Sequence, residues 1–271
     1  MSSSLCIAVA QANEEPWLSI WKNGQEKTWL NNDQDKVKVI NFQSKKAPFI
    51  VGKYNYFHEK NRYREKIGYF QGMFDKLVTK FISRKTPDWI FNENTSLLSV
   101  NSWSTYQLIG RRYAALYEWF LQDTDYDFLF TTTSSCYINK VKLLNFIQGL
   151  NPHEPVNSGY LMPENDSIQF ISGAGRLYSR KTVELIQNNW DKYEHNNLED
   201  VAHSTFLRKL GVFPKSLPRI ELQRPEDVFE LTNLDLISNF FYRCKSSDLP
   251  RKDVEIMKNL HLQLQKIGQI E

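Results

Sequence analysis

The run Phe128-Leu129-Phe130 is apolar at every position, is preceded by Asp127, and leads directly into Thr131-Thr132-Thr133-Ser134-Ser135. A short apolar run without alternation reads as a strand covered on both faces, because alternation appears only where one face meets water. Leu5-Cys6-Ile7-Ala8-Val9-Ala10 has the same character and ends in polar Gln11 and Asn13. Doubly covered strands require helices on both sides of the sheet. The sequence supplies helical spacing at Ile67, Phe70, Phe74, Leu77, Val78 and Phe81, and again over 104–121 at Leu108, Ala115, Leu116, Trp119 and Phe120. The chain therefore reads as α/β, with a mostly parallel central sheet flanked by helices. Ligands in open sheets of this kind collect at the carboxyl ends of strands. The hydroxyl cluster stands at such an end.

Further strands are expected over 37–42, 88–91 and 168–172, the last punctuated by Gly173-Ala174-Gly175. Further helices are expected over 141–150, 179–189, 199–210 (stopped by Gly211) and 253–267. The segment 17–30 reads as helical or irregular, with a turn at Lys22-Asn23-Gly24-Gln25, and 45–64 reads as a long surface loop. No repeat or low-complexity linker breaks the 271 residues, so one domain over 1–271 is the economical division. Within it, about 1–139 forms a first half, about 140–245 a second, and 246–271 a C-terminal helix.

With 34 basic and 31 acidic residues, the net charge of +3 is too balanced to mark a nucleic-acid binder. Cys6, Cys136 and Cys244 are too far apart for a zinc pattern or a disulfide framework. The five histidines show no metal-ligand spacing. No apolar run approaches the ~18 residues of a membrane span. Leu5–Ala10 is too short for a signal sequence. These features suit a cytoplasmic protein, or one peripheral at a membrane.

Several short motifs fall in a fixed order: Ser104-Thr105-Tyr106 with Arg112 and Trp119; the strand with Thr131 to Asn139; Ser172-Gly173-Ala174-Gly175 with Ser179; Glu199-Asp200-Val201; and Leu210-Gly211-Val212. This order resembles the Fringe and β-1,3-galactosyltransferase group of inverting GT-A glycosyltransferases. The likeness covers roughly residues 98–213 and, weakly, the first strand. It implies a Rossmann-like GT-A fold whose first half holds a nucleotide-diphosphate sugar, a uridine diphosphate sugar first among them. The second half would hold the glycan acceptor and the catalytic residues. The group places an acidic triplet, part of its metal site, where this chain has Thr and Ser. The resemblance therefore implies a transferase that needs no divalent metal or other cofactor, or a catalytically inactive relative that binds glycans or partners.

Under that resemblance Asp200 is the expected catalytic base, with Glu199 as the alternative. An inverting transfer needs one carboxylate to take the proton of the attacking hydroxyl, and a helix N-terminus holds a carboxylate ionised. On residue pattern alone, both are equally well the first-turn acids of a helix. Gln11, Arg112, Thr131, Thr132, Thr133 and Ser134 are expected at the nucleotide and diphosphate. Gly173, Ala174 and Gly175 would let the backbone approach the donor sugar. Hydroxyls bring no charge, so cations must neutralise the leaving diphosphate. Arg243 and Lys245, two apart on an extended segment and hence on one side of it, are the first candidates, with Arg251 and Lys252 close behind. Arg176 and Arg180 are weaker ones. A metal ligand at Asp125 or Asp127 is disfavoured, because Asp127 precedes the strand and belongs at its far end.

Overall fold

The computed structural model describes residues 3–30, 34–46, 86–104, 108–162, 169–194 and 198–270. The helix expected over 67–82, most of the loop expected over 45–64, and Tyr106 lie outside the described residues.

The elements are β1 (Leu5–Ala10), α1 (Trp17–Ile20), β2 (Val37–Lys45), β3 (Trp89–Asn92), β4 (Leu97–Trp103), α2 (Ile109–Asp123), β5 (Phe128–Thr133), β6 (Cys136–Ile138), α3 (Lys140–Ile147), β7 (Asn157–Met162), β8 (Phe170–Ser179), α4 (Arg180–Asn188), α5 (Glu199–Lys209), β9 (Lys215–Ser216), β10 (Ile220–Leu222), α6 (Asn233–Ser238), β11 (Phe241–Cys244) and α7 (Asp253–Lys266). One sheet runs β3-β4-β2-β1-β5-β8-β7-β9, and a small one runs β10-β11-β6. In the large sheet β4, β2, β1 and β5 are mutually parallel, as are β7 and β9. The β3/β4, β5/β8 and β7/β8 pairs are antiparallel. The α/β class is therefore as expected, with antiparallel strands inserted beyond β5.

The period of two explains the layering. On β1, Leu5, Ile7 and Val9 pack into one apolar cluster with α3, α7 and the small sheet. Cys6 and Ala8 pack into another with α2, α4 and α5. Both faces are covered, so the strand sequence is apolar without alternation.

Two local readings change. Lys22–Gln25 is not a chain-reversing turn: Trp21–Gln25 continues α1 as a π-helical turn. Nor do the glycines interrupt β8, which runs unbroken from Phe170 to Ser179. β5 likewise continues through all three threonines. Asp127 accepts hydrogen bonds from the Ser4 backbone N–H (2.8 Å) and hydroxyl (3.0 Å), which ties the amino-terminal end of β5 to that of β1. It stands at the opposite end of the strand from the hydroxyl cluster.

Candidate active site

Parallel register brings the ends of β1, β2 and β5 together: Ala10 pairs with Phe42 on one side and Thr133 on the other. A cavity of about 400 Å³ opens there. Gln11, Arg112, Thr133, Ser134, Arg243 and Lys245, expected from sequence to share a site, all line it. Arg112 reaches in from α2, its Nη1 3.5 Å from the Gln11 carbonyl and its guanidinium 5.2 Å from the Phe42 ring centroid. Arg243 and Lys245 arrive on β11 and its exit. The antiparallel pairing of Arg243 with Cys136 and the 2.8 Å bond from the Cys244 N–H to the Ser135 carbonyl set them beside the Ser134-Ser135 turn.

Cations crowd this wall. Burial, then the neighbouring charges of Arg243 and Arg251, push the Lys245 ammonium below its ordinary value. Arg251 is held in place: its guanidinium lies 4.3 Å from the Trp17 ring centroid, donates to the Ser135 hydroxyl (3.0 Å) and pairs with buried Asp253. Like charges gathered beside hydroxyl donors form a site that an anion stabilises.

Thr131 and Thr132 do not reach the cavity. They are interior residues of β5, fully buried. Thr132 donates to the Ala174 carbonyl at 2.9 Å. The Thr131 hydroxyl has no partner among the described residues. Ala174 is itself buried. The glycines on either side of it serve the protein's own side chains. A Cβ on Gly173 would sit 2.5 Å from Asp200 Oδ1, and one on Gly175 would sit 2.3 Å from Phe241 Cζ.

The acidic pair opens α5. Glu199 takes Arg176 Nη1 and Nη2 on its two oxygens, each at 2.7 Å. Asp200 accepts from Arg176 Nη2 at 2.8 Å and from the Gly173 N–H at 3.0 Å. The Arg176 side chain is 1% exposed, that of Glu199 9%, and that of Asp200 37%. Only Asp200 therefore offers a carboxylate to solvent. Burial pushes Glu199 up to about 7, although Arg176 opposes the shift; Asp200 adds to it. The cluster lies at the same edge of the sheet as the cavity, because Gly175 pairs with Thr132 and the preceding residues of β8 extend past the end of β5. Arg112 lines the cavity and also feels the charge of Glu199. Tyr113 lies between, its ring centroid 6.0 Å from the Arg112 guanidinium and 5.5 Å from that of Arg176.

Arg176 is the hub that sequence reading ranked low. Its signal was a charge inside an otherwise small and apolar strand, which burial permits only with partners. Arg180 has a different task, donating to the carbonyls of Leu121, Thr124 and Tyr126 at the end of α2. Arg219 was not anticipated. It donates to the Ser172 hydroxyl at 3.0 Å, lies 4.0 Å from the Tyr160 ring centroid, and pairs with Glu221. Among the described residues, no three His, Cys, Asp or Glu side chains group as metal ligands, and no helix is long and apolar enough to cross a membrane.

No protein-family model matches the chain, and no curated protein matches it. Solved structures do. The glycosyltransferase GlyE of Streptococcus pneumoniae TIGR4 aligns over 98% of this chain and 63% of its own, at 10% identity and TM-score 0.44. The mannosyltransferase PcManGT of Pyrobaculum calidifontis, in complex with GDP-Man and Mn²⁺, aligns over 80% of this chain and 55% of its own, at 12% identity and TM-score 0.42. The galactosyltransferase LgtC, in complex with donor and acceptor sugar analogues, aligns over 98% of this chain and 100% of its own, at 8% identity and TM-score 0.43. The chain thus spans less than two thirds of the length of GlyE and PcManGT.

Proposed function

We propose that this chain is an inverting GT-A glycosyltransferase that moves a sugar from a nucleotide-diphosphate donor, a uridine diphosphate sugar first, to a hydroxyl of a growing surface glycan. The observation that carries this reading is the cavity at the ends of β1, β2 and β5. It combines serine hydroxyls with Arg112, Arg243 and Lys245, and it shares a sheet edge with the Arg176-Glu199-Asp200 cluster.

The roles follow from charge and exposure. The diphosphate sits among Arg112, Arg243 and Lys245, with Ser134 and Ser135 donating to its oxygens. As the acceptor hydroxyl attacks the anomeric carbon, its proton passes to Asp200. The bond from that carbon to the diphosphate breaks on the opposite face, and its electron pair leaves with the diphosphate. The three cations offset the charge that develops there. This reading needs no divalent ion, because cations of the chain supply the compensation.

Donor binding and hydrolysis across UDP-, GDP- and dTDP-sugars, first in excess EDTA and then with Mn²⁺, test the proposal. We expect hydrolysis in EDTA, reduced about 10²–10⁴-fold in Asp200→Asn. Hydrolysis only with Mn²⁺ refutes the metal-free reading, and unchanged turnover in Asp200→Asn refutes the base. Nucleotide binding without turnover under either condition favours the inactive, ligand-binding alternative.

A further inference from the structure

Arg219 joins the two ends of the site. Asp200 accepts from the Gly173 N–H at 3.0 Å. Ser172, the next residue back along β8, accepts from Arg219 Nη1 at 3.0 Å. The other terminal nitrogen, Nη2, pairs with Glu221. Glu221 is in turn the register partner of Arg243, which lines the cavity. A line of contacts therefore runs from the carboxylate proposed as base to the cations proposed for the diphosphate.

Side-chain directions put this line on one surface. Registered neighbours in adjacent strands point to the same face, and so do residues two apart on one strand. Phe241, Arg243 and Glu221 thus share a face. The Arg219 guanidinium lies over it, 5.7 Å from the Phe241 ring centroid and 4.0 Å from that of Tyr160. Burial lowers that guanidinium below its ordinary value, the charge of Glu221 opposes the shift, and Arg243 adds to it. Lys245, on the cavity wall, also feels the charge of Glu221. The Arg219 side chain is 2% exposed, whereas that of Glu221 is 38% exposed. Arg219 is therefore fixed by Ser172 and two rings, and Glu221 offers its carboxylate to solvent.

A carboxylate there works against anion binding alone, since it repels a diphosphate. Arg219 offsets that charge and engages Oε1. An ionised carboxylate has about four acceptor sites and no donor, so capacity remains for a hydroxyl. In the proposed transfer the sugar is bonded to the diphosphate on one side and approached by the acceptor on the other. It therefore occupies the ground between Arg243 and Asp200. We infer that Glu221 is a specificity-determining residue for the transferred sugar, accepting a hydrogen bond from one of its hydroxyls, and that Arg219 is the positioning residue that holds this carboxylate. The inference deepens the glycosyltransferase reading and rests on it.

Isothermal titration tests it, by comparing each UDP-, GDP- or dTDP-sugar that the wild type binds with the corresponding free nucleoside diphosphate. Glu221→Gln should weaken the nucleotide sugar about tenfold or more. It should leave the free diphosphate unchanged or tighter, because a negative charge has left the cation wall. Glu221→Asp keeps the charge and withdraws the carboxylate by one carbon. It should weaken the sugar donor with the diphosphate within about twofold, and it carries the test if Glu221→Gln does not fold. Equal changes for sugar and diphosphate, or an unchanged sugar donor, overturn the inference. Arg219→Lys keeps its charge but loses the fork, and should show the same sugar-specific loss; wild-type donor affinity there overturns the positioning role.

Donors lacking one hydroxyl at a time identify the contact. One of them should lose about tenfold in the wild type and nothing further in Glu221→Gln, whereas additive losses overturn the hydrogen bond. A wild type that binds free diphosphates but gains nothing from any sugar overturns this inference alone. A wild type that binds neither refutes the glycosyltransferase reading, and the inference with it.

Discussion

Gly173 and Gly175 lie two apart on β8, yet alanine at each has a different consequence. At Gly175 the new methyl meets Phe241 Cζ at 2.3 Å, Cε1 at 2.6 Å and Phe130 Cζ at 3.1 Å. Both rings are fully buried, stacked edge to face with centroids 5.6 Å apart. An unstrained carbon contact needs ~3.5 Å or more, so Phe241 must retreat by about an ångström within a packed core. Overpacking of that kind costs about 1–3 kcal/mol, and alanine's backbone advantage returns about 0.5–1. The net loss of up to about 2.5 kcal/mol lowers Tm by up to about 4 °C at this chain length. At Gly173 the methyl meets Asp200 Oδ1 at 2.5 Å and Arg176 Nη2 at 3.2 Å. Asp200 is the partly exposed member and swings away, losing two hydrogen bonds at a cost of about 1 kcal/mol or less. Gly173→Ala therefore keeps Tm within about 2 °C of wild type, while donor hydrolysis falls about 10²-fold if Asp200 is the base proposed above, because its carboxylate is misplaced. Differential scanning calorimetry and a hydrolysis assay on both variants decide it. If Gly173→Ala destabilises more than Gly175→Ala, or hydrolyses donor at the wild-type rate, the assignment of the two glycines is wrong.

Other perturbations follow from the same contacts. Arg243→Ala and Lys245→Ala should each weaken uridine diphosphate binding by about 10–100-fold, as loss of one charge-assisted hydrogen bond does; isothermal titration showing unchanged affinity would remove that residue from the phosphate site. Arg251→Ala leaves Asp253, at 0% exposure, unpaired. It should cost about 3–5 kcal/mol in denaturant unfolding, and a loss below about 1 would show that Asp253 finds another partner. Asp127→Ala should destabilise by about 1–3 kcal/mol through its lost bonds to Ser4, with the metal response of hydrolysis unaltered; a changed Mn²⁺ response would reopen Asp127 as a ligand. Glu199 titrates in the fold at about 7, against an ordinary 4.5. Between those values the native state holds a proton that the unfolded chain has released, so the contribution of Glu199 to stability falls as pH rises through that window. The pH dependence of unfolding in Glu199→Gln should lack that decline, and identical curves would place Glu199 outside the linkage.

What the sequence revealed, and what it hid, tracks how local each cause is. The ends of β1 and the start of α5 were legible because burial on both faces and first-turn acids are written in adjacent residues. Six of the residues that line the cavity were anticipated: Gln11, Thr133 and Ser134 because ligands collect at strand ends once the α/β class is known, and Arg112, Arg243 and Lys245 through the family resemblance and the need to offset a diphosphate's charge. β4 was missed although Leu98, Val100 and Ser102 alternate with exposed neighbours, a pattern that a single serine on the inner face disguises. The glycines carry a signal that the sequence leaves incomplete. Their motif marks a close approach, but only the fold says by what, and here the approaching groups are Asp200 and Phe241. Arg176 was underrated for the same cause: its two partners stand 23 and 24 residues further along the chain. The residues least legible in the sequence are thus the ones whose partners are remote along the chain. A carboxylate pair that reads as ordinary helix-start acids is gathered by one buried arginine so that Glu199 is closed off and Asp200 alone of the three keeps its side chain open to solvent.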